Sequence, residues 1–299
     1  MMRDSRWIEA LIVLAFLAAV LAGLGTDSAS VALSSLAGSP PPVLTPSPIV
    51  TLAPDQFGTR VTFKAADGRE LVGYFYPAWK PNAPVVVLMH EFRSSQAAWQ
   101  ESAIIPWMQN WGALDTSGQV YVYAGGRLPQ MPKDLSFAVF TFDFRGHGES
   151  LPLLDSPDGS KYSAEFLLDA KAAYAAARTM PGVDPNKVIG IGASIGADAV
   201  VEACGSICSG AFSVSPGNWL KVDYSNAAQA VLKRGRPVRC MYSVNDPPTP
   251  QTCWSLAPSD LYKIFAYPGI KHGMTFFVPR KMEDDFGANL LEFLQAASK

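Results

Sequence analysis

Short apolar runs alternate with amphipathic helical stretches along the chain from residue 83 onward. The runs Ala83–Met89 and Phe137–Phe142 are almost continuously apolar, as is typical of strands buried on both faces of a parallel sheet. Further strands are predicted at Val188–Ile191, Ala211–Val214, Val238–Val244 and Leu261–Tyr267, and helices at Tyr162–Thr179, Ala197–Cys204, Asn226–Lys233 and Glu283–Ala297. This alternation predicts an α/β fold with a mostly parallel central sheet and helices on both faces.

The predicted folded domain spans residues 57–299 and begins with a β-hairpin. Gly58–Lys64 and Glu70–Tyr76 have the composition of strands, and the turn residues Ala66-Asp67-Gly68 separate them. A turn of this composition between two strand-like runs is a short-range signal for a hairpin.

Residues 1–25 have the composition of a signal peptide or an N-terminal membrane anchor. Arg3 and Arg6 precede the apolar run Ala10–Leu24, which is near the length of a signal-peptide core and shorter than the roughly 20 residues that comfortably span a bilayer. Cleavage after Val20-Leu21-Ala22 and retention as an anchor both remain open. Residues 26–56 are rich in Ser, Ala and Pro and are predicted to form a flexible linker. A tether of this kind suits a protein that works outside the cytoplasmic membrane.

Composition describes an ordinary globular protein. Of 299 residues 48% are hydrophobic and 17% charged, and the formal net charge is −2. Since basic clusters with interleaved aromatic residues are missing from the sequence, we expect no nucleic-acid partner. Contact with a membrane is expected only through the N-terminal segment.

The cysteines Cys204, Cys208, Cys240 and Cys253 could form two disulfide bonds. Short separations favour pairing Cys204 with Cys208 and Cys240 with Cys253, and four buried free thiols are the alternative. A Cys-x-x-x-Cys pair without further nearby Cys or His ligands is poor evidence for zinc, so no metal or other cofactor is predicted.

The stretch Gly192-Ala193-Ser194-Ile195-Gly196 lies between a predicted strand and a predicted helix. A G-x-S-x-G sequence in this context is typical of a sharp turn that exposes a serine hydroxyl, with the free N–H groups of the helix beneath it. A dinucleotide-binding loop is an alternative, but the acidic residue expected about 20 positions later is missing. A glycine-rich turn without chemistry is the third interpretation.

Other reactive residue types also follow predicted strands. His90, Asp246 and His272 come directly after the runs that end near Met89, Val244 and Tyr267. Because ligands of open α/β sheets bind beyond the carboxyl ends of the strands, these residues are expected to meet Ser194 at one edge of the sheet.

The motifs Arg145-Gly-His-Gly148, Gly192–Gly196, Asn245-Asp246 and Lys271-His272-Gly273 occur in an order that resembles the α/β-hydrolase fold over roughly residues 57–298. Within that fold, the loop His90-Glu91-Phe92 is most similar to the dienelactone hydrolase and esterase branch.

The resemblance implies a Ser194–His272–Asp246 triad, with Ser194 as nucleophile, His272 as base and Asp246 as its acidic partner. It places the backbone N–H groups of Phe92 and Ile195 in the oxyanion hole. His90 and Glu91 would support the oxyanion loop, because the thiol-activating role of the glutamate in dienelactone hydrolases does not transfer to a serine. His147 would be structural.

The segment 216–237 has room for one helix and no large lid domain. The insertion at residues 107–133 is rich in aromatic residues and is either a surface excursion with its own hairpin or a wall of the substrate pocket. We therefore expect an exported or membrane-tethered serine hydrolase that cleaves small to medium carboxylic esters. A peptidase or amidase of the same fold and a non-catalytic binding module are the alternatives.

Overall fold

The computed structural model describes residues 58–114, 122–156 and 158–299, which build an eight-stranded sheet. The strands are β1 (Thr59–Lys64), β2 (Glu70–Tyr76), β3 (Ala83–Met89), β4 (Ala138–Phe142), β5 (Val183–Ala193), β6 (Cys208–Val214), β7 (Val238–Ser243) and β8 (Tyr262–Tyr267). Their spatial order is β1-β2-β4-β3-β5-β6-β7-β8. The pairs β1–β2 and β2–β4 are antiparallel, and all other neighbours are parallel. The predicted hairpin and mostly parallel sheet are confirmed.

Strand β3 shows why the apolar runs lie at the centre. Val85, Val87 and Met89 pack into the core on one face of the sheet, whereas Val86 and Leu88 pack into the core on the other face. Successive side chains of a strand point to opposite faces, so a strand covered by helices on both sides must be apolar at every position.

Helices cover both faces of the sheet. They are α1 (Ala97–Gln100), α2 (Ile104–Gln109), α3 (Ser163–Ala177), α4 (Ile195–Glu202), α5 (Tyr224–Leu232), α6 (Thr249–Cys253) and α7 (Phe286–Ala297). Buried residues of α3, α4 and α5 belong to one core, and those of α1, α2 and α7 belong to the other. The two-sided arrangement predicted from the sequence is therefore observed.

The cysteines lie in the pairs favoured by their sequence separations. Cys204 and Cys208 are at disulfide distance beyond the end of α4, with Cα atoms 4.9 Å apart. Cys240 in β7 and Cys253 in α6 are also at disulfide distance, with Cα atoms 5.6 Å apart. The second pair closes a loop that carries the turn after β7.

We expect the two cysteine pairs to contribute unequally to stability. Loop-closure entropy gives about 3 kcal/mol for the wider Cys240–Cys253 loop and about 2 kcal/mol for the narrow Cys204–Cys208 loop. The double variant Cys240→Ala/Cys253→Ala should therefore lose more unfolding free energy in urea than Cys204→Ala/Cys208→Ala, which serves as its matched control. Equal losses, or a larger loss for the control, would contradict this ranking.

The described part of the insertion packs on the core that contains α7. Leu128 and Met131 are buried in that core, and the Trp107 indole Nε1–H donates to the Pro129 carbonyl over 2.6 Å. A single β-bridge joins Tyr123 to Leu128. The described part of the insertion is therefore held to this core by buried side chains.

The segment 216–237 is fully described and contains α5 as its only helix, so the prediction of no large lid between β6 and β7 holds. None of the described helices is both long and apolar enough to cross a bilayer. The predicted targeting segment 1–25 and linker 26–56 lie outside the described residues and stay predictions.

Candidate active site

Ser194 occupies a strained turn between β5 and α4. Its backbone has φ 54° and ψ −115°, a conformation that L-residues rarely adopt. A Cβ on Gly192 would overlap the Gly196 carbonyl, and a Cβ on Gly196 would overlap the Met89 carbonyl. Both glycines are therefore needed for the chain to turn this sharply, and the turn raises the serine hydroxyl above the sheet edge.

Ser194, His272 and Asp246 form one hydrogen-bonded chain. His272 Nε2 lies 2.9 Å from Ser194 Oγ, and His272 Nδ1 lies 2.8 Å from Asp246 Oδ2. The Ser194 and Asp246 side chains are largely buried, whereas the His272 side chain is 35% exposed. An Nδ1–H that donates to the carboxylate leaves Nε2 as a proton acceptor that faces the serine hydroxyl. The three residues predicted to act together thus meet in space.

Two polar side chains hold the loop that carries His272. The Gly273 N–H donates to Ser215 Oγ over 3.0 Å, and the Met274 N–H donates to Glu91 Oε2 over 2.9 Å. Burial raises the pKa of the Glu91 carboxyl, against the opposing effects of the Met274 N–H and the charge of His272. Glu91 therefore supports the loop that carries His272. The sequence had predicted only that Glu91 supports the oxyanion loop.

The turn after β7 is fixed by Thr249. Its Oγ1–H donates to the Asp246 carbonyl over 2.6 Å, and its backbone N–H donates to the same carbonyl over 3.0 Å. The Asp246 N–H in turn donates to the Ser243 carbonyl over 3.1 Å. These bonds leave Asp246 Oδ2 directed at the imidazole.

Phe92 and Ile195 lie beside Ser194 and line the same cavity. Within the described part of the chain, neither backbone N–H donates to another protein group, and Ile195 is the first residue of α4. First-turn N–H groups of a helix have no partner within the helix and can donate to an anion. Their role as oxyanion donors remains a prediction.

The other two histidines have structural roles. The fully buried His90 makes a 2.7 Å bond from Nδ1 to the Glu91 carbonyl and accepts the Phe144 N–H at Nε2 over 3.1 Å. Burial lowers its pKa to about 3, so the ring is neutral. His147 likewise accepts the Arg93 N–H at Nε2 over 3.1 Å. Both nitrogens of each ring bond to backbone groups, whereas both nitrogens of His272 contact side chains, those of Asp246 and Ser194.

A cavity of about 490 Å³ lies in front of Ser194. Its lining consists of Glu91, Phe92, Gly159, Ser160, Ser194, Ile195, Trp219, His272 and Thr275. The described residues of the insertion, 107–114 and 122–133, are not in this lining. Four lining residues were not predicted from the sequence: Gly159, Ser160, Trp219 and Thr275. Among them, Trp219 is a large aromatic residue in the short segment after β6, which could have marked it as a candidate. Across the described ranges, no cluster of three or more His, Cys, Asp or Glu side chains could hold a metal ion.

The sequence matches no protein-family model, and no curated protein matches it significantly. Several solved structures are similar in fold. The esterase Pf2001 of Pyrococcus furiosus matches with a TM-score of 0.54 and 18% identity, over 81% of this chain and 93% of that one. A putative α/β hydrolase of unknown function from Agrobacterium tumefaciens, ATU1826, matches with a TM-score of 0.56 and 18% identity, over 79% of this chain and 95% of that one.

The acylaminoacyl peptidase of Pyrococcus horikoshii matches with a TM-score of 0.51 and 14% identity, over 81% of this chain and 42% of that one. The strand order and the serine turn after β5 indicate the same fold as these similar structures. The chain has the α/β-hydrolase fold.

Proposed function

We propose that this protein is a serine hydrolase that cleaves carboxylic esters of small to medium size. The observation that carries the proposal is the hydrogen-bonded chain from Ser194 through His272 to Asp246 at the wall of a cavity. A serine hydroxyl is a weak nucleophile unless a base takes its proton during attack, and His272 Nε2 is within reach to do so.

In the first half-reaction Ser194 Oγ attacks the ester carbonyl carbon while its proton passes to His272 Nε2. The carbonyl oxygen becomes an anion, which the N–H groups of Phe92 and Ile195 would stabilise. Asp246 stabilises the imidazolium through Nδ1–H. When the C–O bond to the leaving group breaks, the alkoxide takes the proton from Nε2, and an acyl-enzyme on Ser194 remains.

The second half-reaction uses the same groups with water as nucleophile. His272 Nε2 takes a proton from water as its oxygen attacks the acyl carbon, and then returns the proton to Ser194 Oγ as the acid leaves. Over one cycle the alcohol carries away the proton that left Ser194, and a proton from water restores the serine hydroxyl, so His272 ends in its starting form.

We expect an ester substrate in preference to an amide. The second candidate function is that of a peptidase or amidase. Phe92, Ile195 and Trp219 give the cavity apolar walls suited to an acyl chain, and a neighbour in fold is described as an esterase. The similarity to an acylaminoacyl peptidase supports the second candidate.

A panel of matched substrates tests the proposal. We expect p-nitrophenyl acetate, butyrate and octanoate to be hydrolysed, and the p-nitroanilides of the same acids and acylaminoacyl substrates to show no turnover above background, because an amine leaves only when a general acid protonates its nitrogen. Since a peptidase also cleaves activated esters, turnover of the anilides or of the acylaminoacyl substrates would favour the peptidase. Turnover of none of them would favour a non-catalytic binding module.

We also propose that the protein works outside the cytoplasm, exported or tethered through residues 1–25. The cysteine pairs at disulfide distance support an oxidising compartment, where such bonds persist. Non-reducing peptide mapping of protein from the producing cell should find Cys204 linked to Cys208 and Cys240 linked to Cys253. Free thiols at all four positions would contradict this location.

A further inference from the structure

Asp198 is a buried carboxylate that the proposed chemistry does not use. It lies in α4, four residues after Ser194, and has no exposed surface. Its Oδ1 accepts the Gly217 N–H and its Oδ2 accepts the Leu220 N–H, both over 3.2 Å. Burying a carboxylate is costly unless its oxygens are hydrogen-bonded, so both oxygens are committed to one short loop after β6.

The loop at residues 215–221 has a conformation that needs support. Ser215, Asn218 and Lys221 have φ values of 56°, 56° and 55°, in the left-handed region that favours glycine. Each such residue costs on the order of 1 kcal/mol and persists only when surrounding contacts fix it. The backbone bonds to Asp198 provide such contacts from the core side.

Trp219 is the residue that this loop presents to the site. Its ring meets the His272 ring edge to face, with centroids 5.7 Å apart and planes at 83°. Its indole Nε1–H donates to the Ser215 carbonyl over 3.0 Å, and Ser215 Oγ accepts the Gly273 N–H beside the histidine. Trp219 also lines the cavity in front of Ser194. The loop therefore contacts both the base and the space that a substrate would fill.

We propose that Asp198 is a positioning residue that holds Trp219 as the wall of an acyl-binding site beside His272, and that this wall sets the acyl chain length the enzyme accepts. The inference rests on the proposed ester hydrolysis at Ser194. The expected substrate is then an ester with an apolar acyl chain of limited length, and the Trp219 indole sets that limit.

The chemistry of the buried carboxyl supports this role. Burial raises the pKa of Asp198 to about 7, and the N–H groups of Leu220, Gly217, Trp219 and Asn218 act in the opposite direction. A carboxylate with two acceptor oxygens holds two N–H groups, whereas an amide in its place offers one acceptor and a donor that would face an N–H. Asp198→Asn should thus release part of the loop while keeping the shape of the side chain.

Gly217 offers a second way to move Trp219, from the loop side. A Cβ at this position would overlap the Trp219 indole at Cε2, Cζ2 and Nε1. Gly217→Ala should therefore displace the indole without altering the buried carboxylate. Trp219→Ala removes the wall altogether and is the reference for both variants.

The test compares kcat/KM for p-nitrophenyl octanoate and acetate in these variants. We expect Trp219→Ala to raise the octanoate-to-acetate ratio by about tenfold, because a wall in a hydrophobic pocket discriminates by roughly 10- to 200-fold. Asp198→Asn and Gly217→Ala should change the ratio in the same direction, mainly through KM. Asp198→Asn combined with Trp219→Ala should match Trp219→Ala alone, since residues that act through one contact are not additive.

Additive effects in the double variant would overturn the inference, because Asp198 would then act through α4 on Ser194. A slower reaction of Ser194 with a fluorophosphonate in Asp198→Asn, together with an unchanged octanoate-to-acetate ratio, would point the same way. If Asp198→Asn does not fold, Gly217→Ala decides, and an unchanged substrate ratio in that variant would exclude Trp219 as the wall.

Failure of the proposed function gives a different result. In that case the unaltered protein hydrolyses none of the esters and Ser194 is not labelled. The link between Asp198 and Trp219 is then measured by acrylamide quenching of Trp219 fluorescence, taken as the difference from Trp219→Phe. Asp198→Asn should increase this quenching, and unchanged quenching would contradict the inference.

Discussion

Replacing Ser194 with alanine is expected to lower kcat for p-nitrophenyl butyrate by about 10⁴- to 10⁶-fold, as loss of the nucleophile does in serine hydrolases with a triad. The change removes one oxygen and keeps a Cβ in the same strained turn, so the fold should be unaffected. Steady-state kinetics measures the loss, and circular dichroism checks that the secondary structure is intact.

Ser206→Ala is the matched control for this variant. Ser206 is exposed, and it lies in the turn between Cys204 and Cys208, outside the cavity lining. It should retain full activity. If Ser194→Ala retained more than about one part in a hundred of the kcat while remaining folded, Ser194 could not be the nucleophile.

Asp246→Asn should lower kcat by about 10⁴-fold, as the same change does in a Ser-His-Asp triad elsewhere. The amide would donate to His272 Nδ1, which places the imidazole proton on Nε2. In that tautomer Nε2 cannot accept the Ser194 proton over the 2.9 Å contact. The loss should fall on kcat, because Asp246 is not in the cavity lining.

The matched control for this second substitution is Asp260→Asn, an aspartate-to-asparagine change at an exposed position that lies before β8. Its kcat should equal that of the unaltered protein. A loss for Asp246→Asn smaller than about tenfold would indicate that the contact with His272 is a structural turn feature and not part of the mechanism.

The sequence predicted the strands with strong apolar patterns, because burial on both faces leaves little choice of residue. The prediction was less complete for β5. The apolar pattern predicted a strand over Val188–Ile191, whereas the observed strand spans Val183–Ala193. The extra residues include polar positions near a register shift, where Ala83 pairs with Val183 before regular pairing with β3 resumes. Pairing of this kind depends on the neighbouring strand, which a local pattern does not contain.

The candidate site was predictable for the residues that follow strands directly. Ser194, Asp246 and His272 meet because parallel strands end at one edge of the sheet. The contact of Glu91 with Met274 was not predictable, since it joins positions 183 residues apart. Trp219 was missed because its place beside His272 depends on left-handed backbone at Ser215 and Asn218, which nothing in the apolar pattern specifies.

Labelling with a fluorophosphonate, followed by peptide mapping, tests the central claim most directly. The probe reacts readily with a serine that an adjacent base activates, and the adduct identifies the residue. We expect one adduct, on the peptide that contains Ser194, and its loss in His272→Ala, which removes the base but leaves the serine in place. An adduct on another residue, or no adduct on the folded protein, would contradict the assignment of Ser194 as the nucleophile.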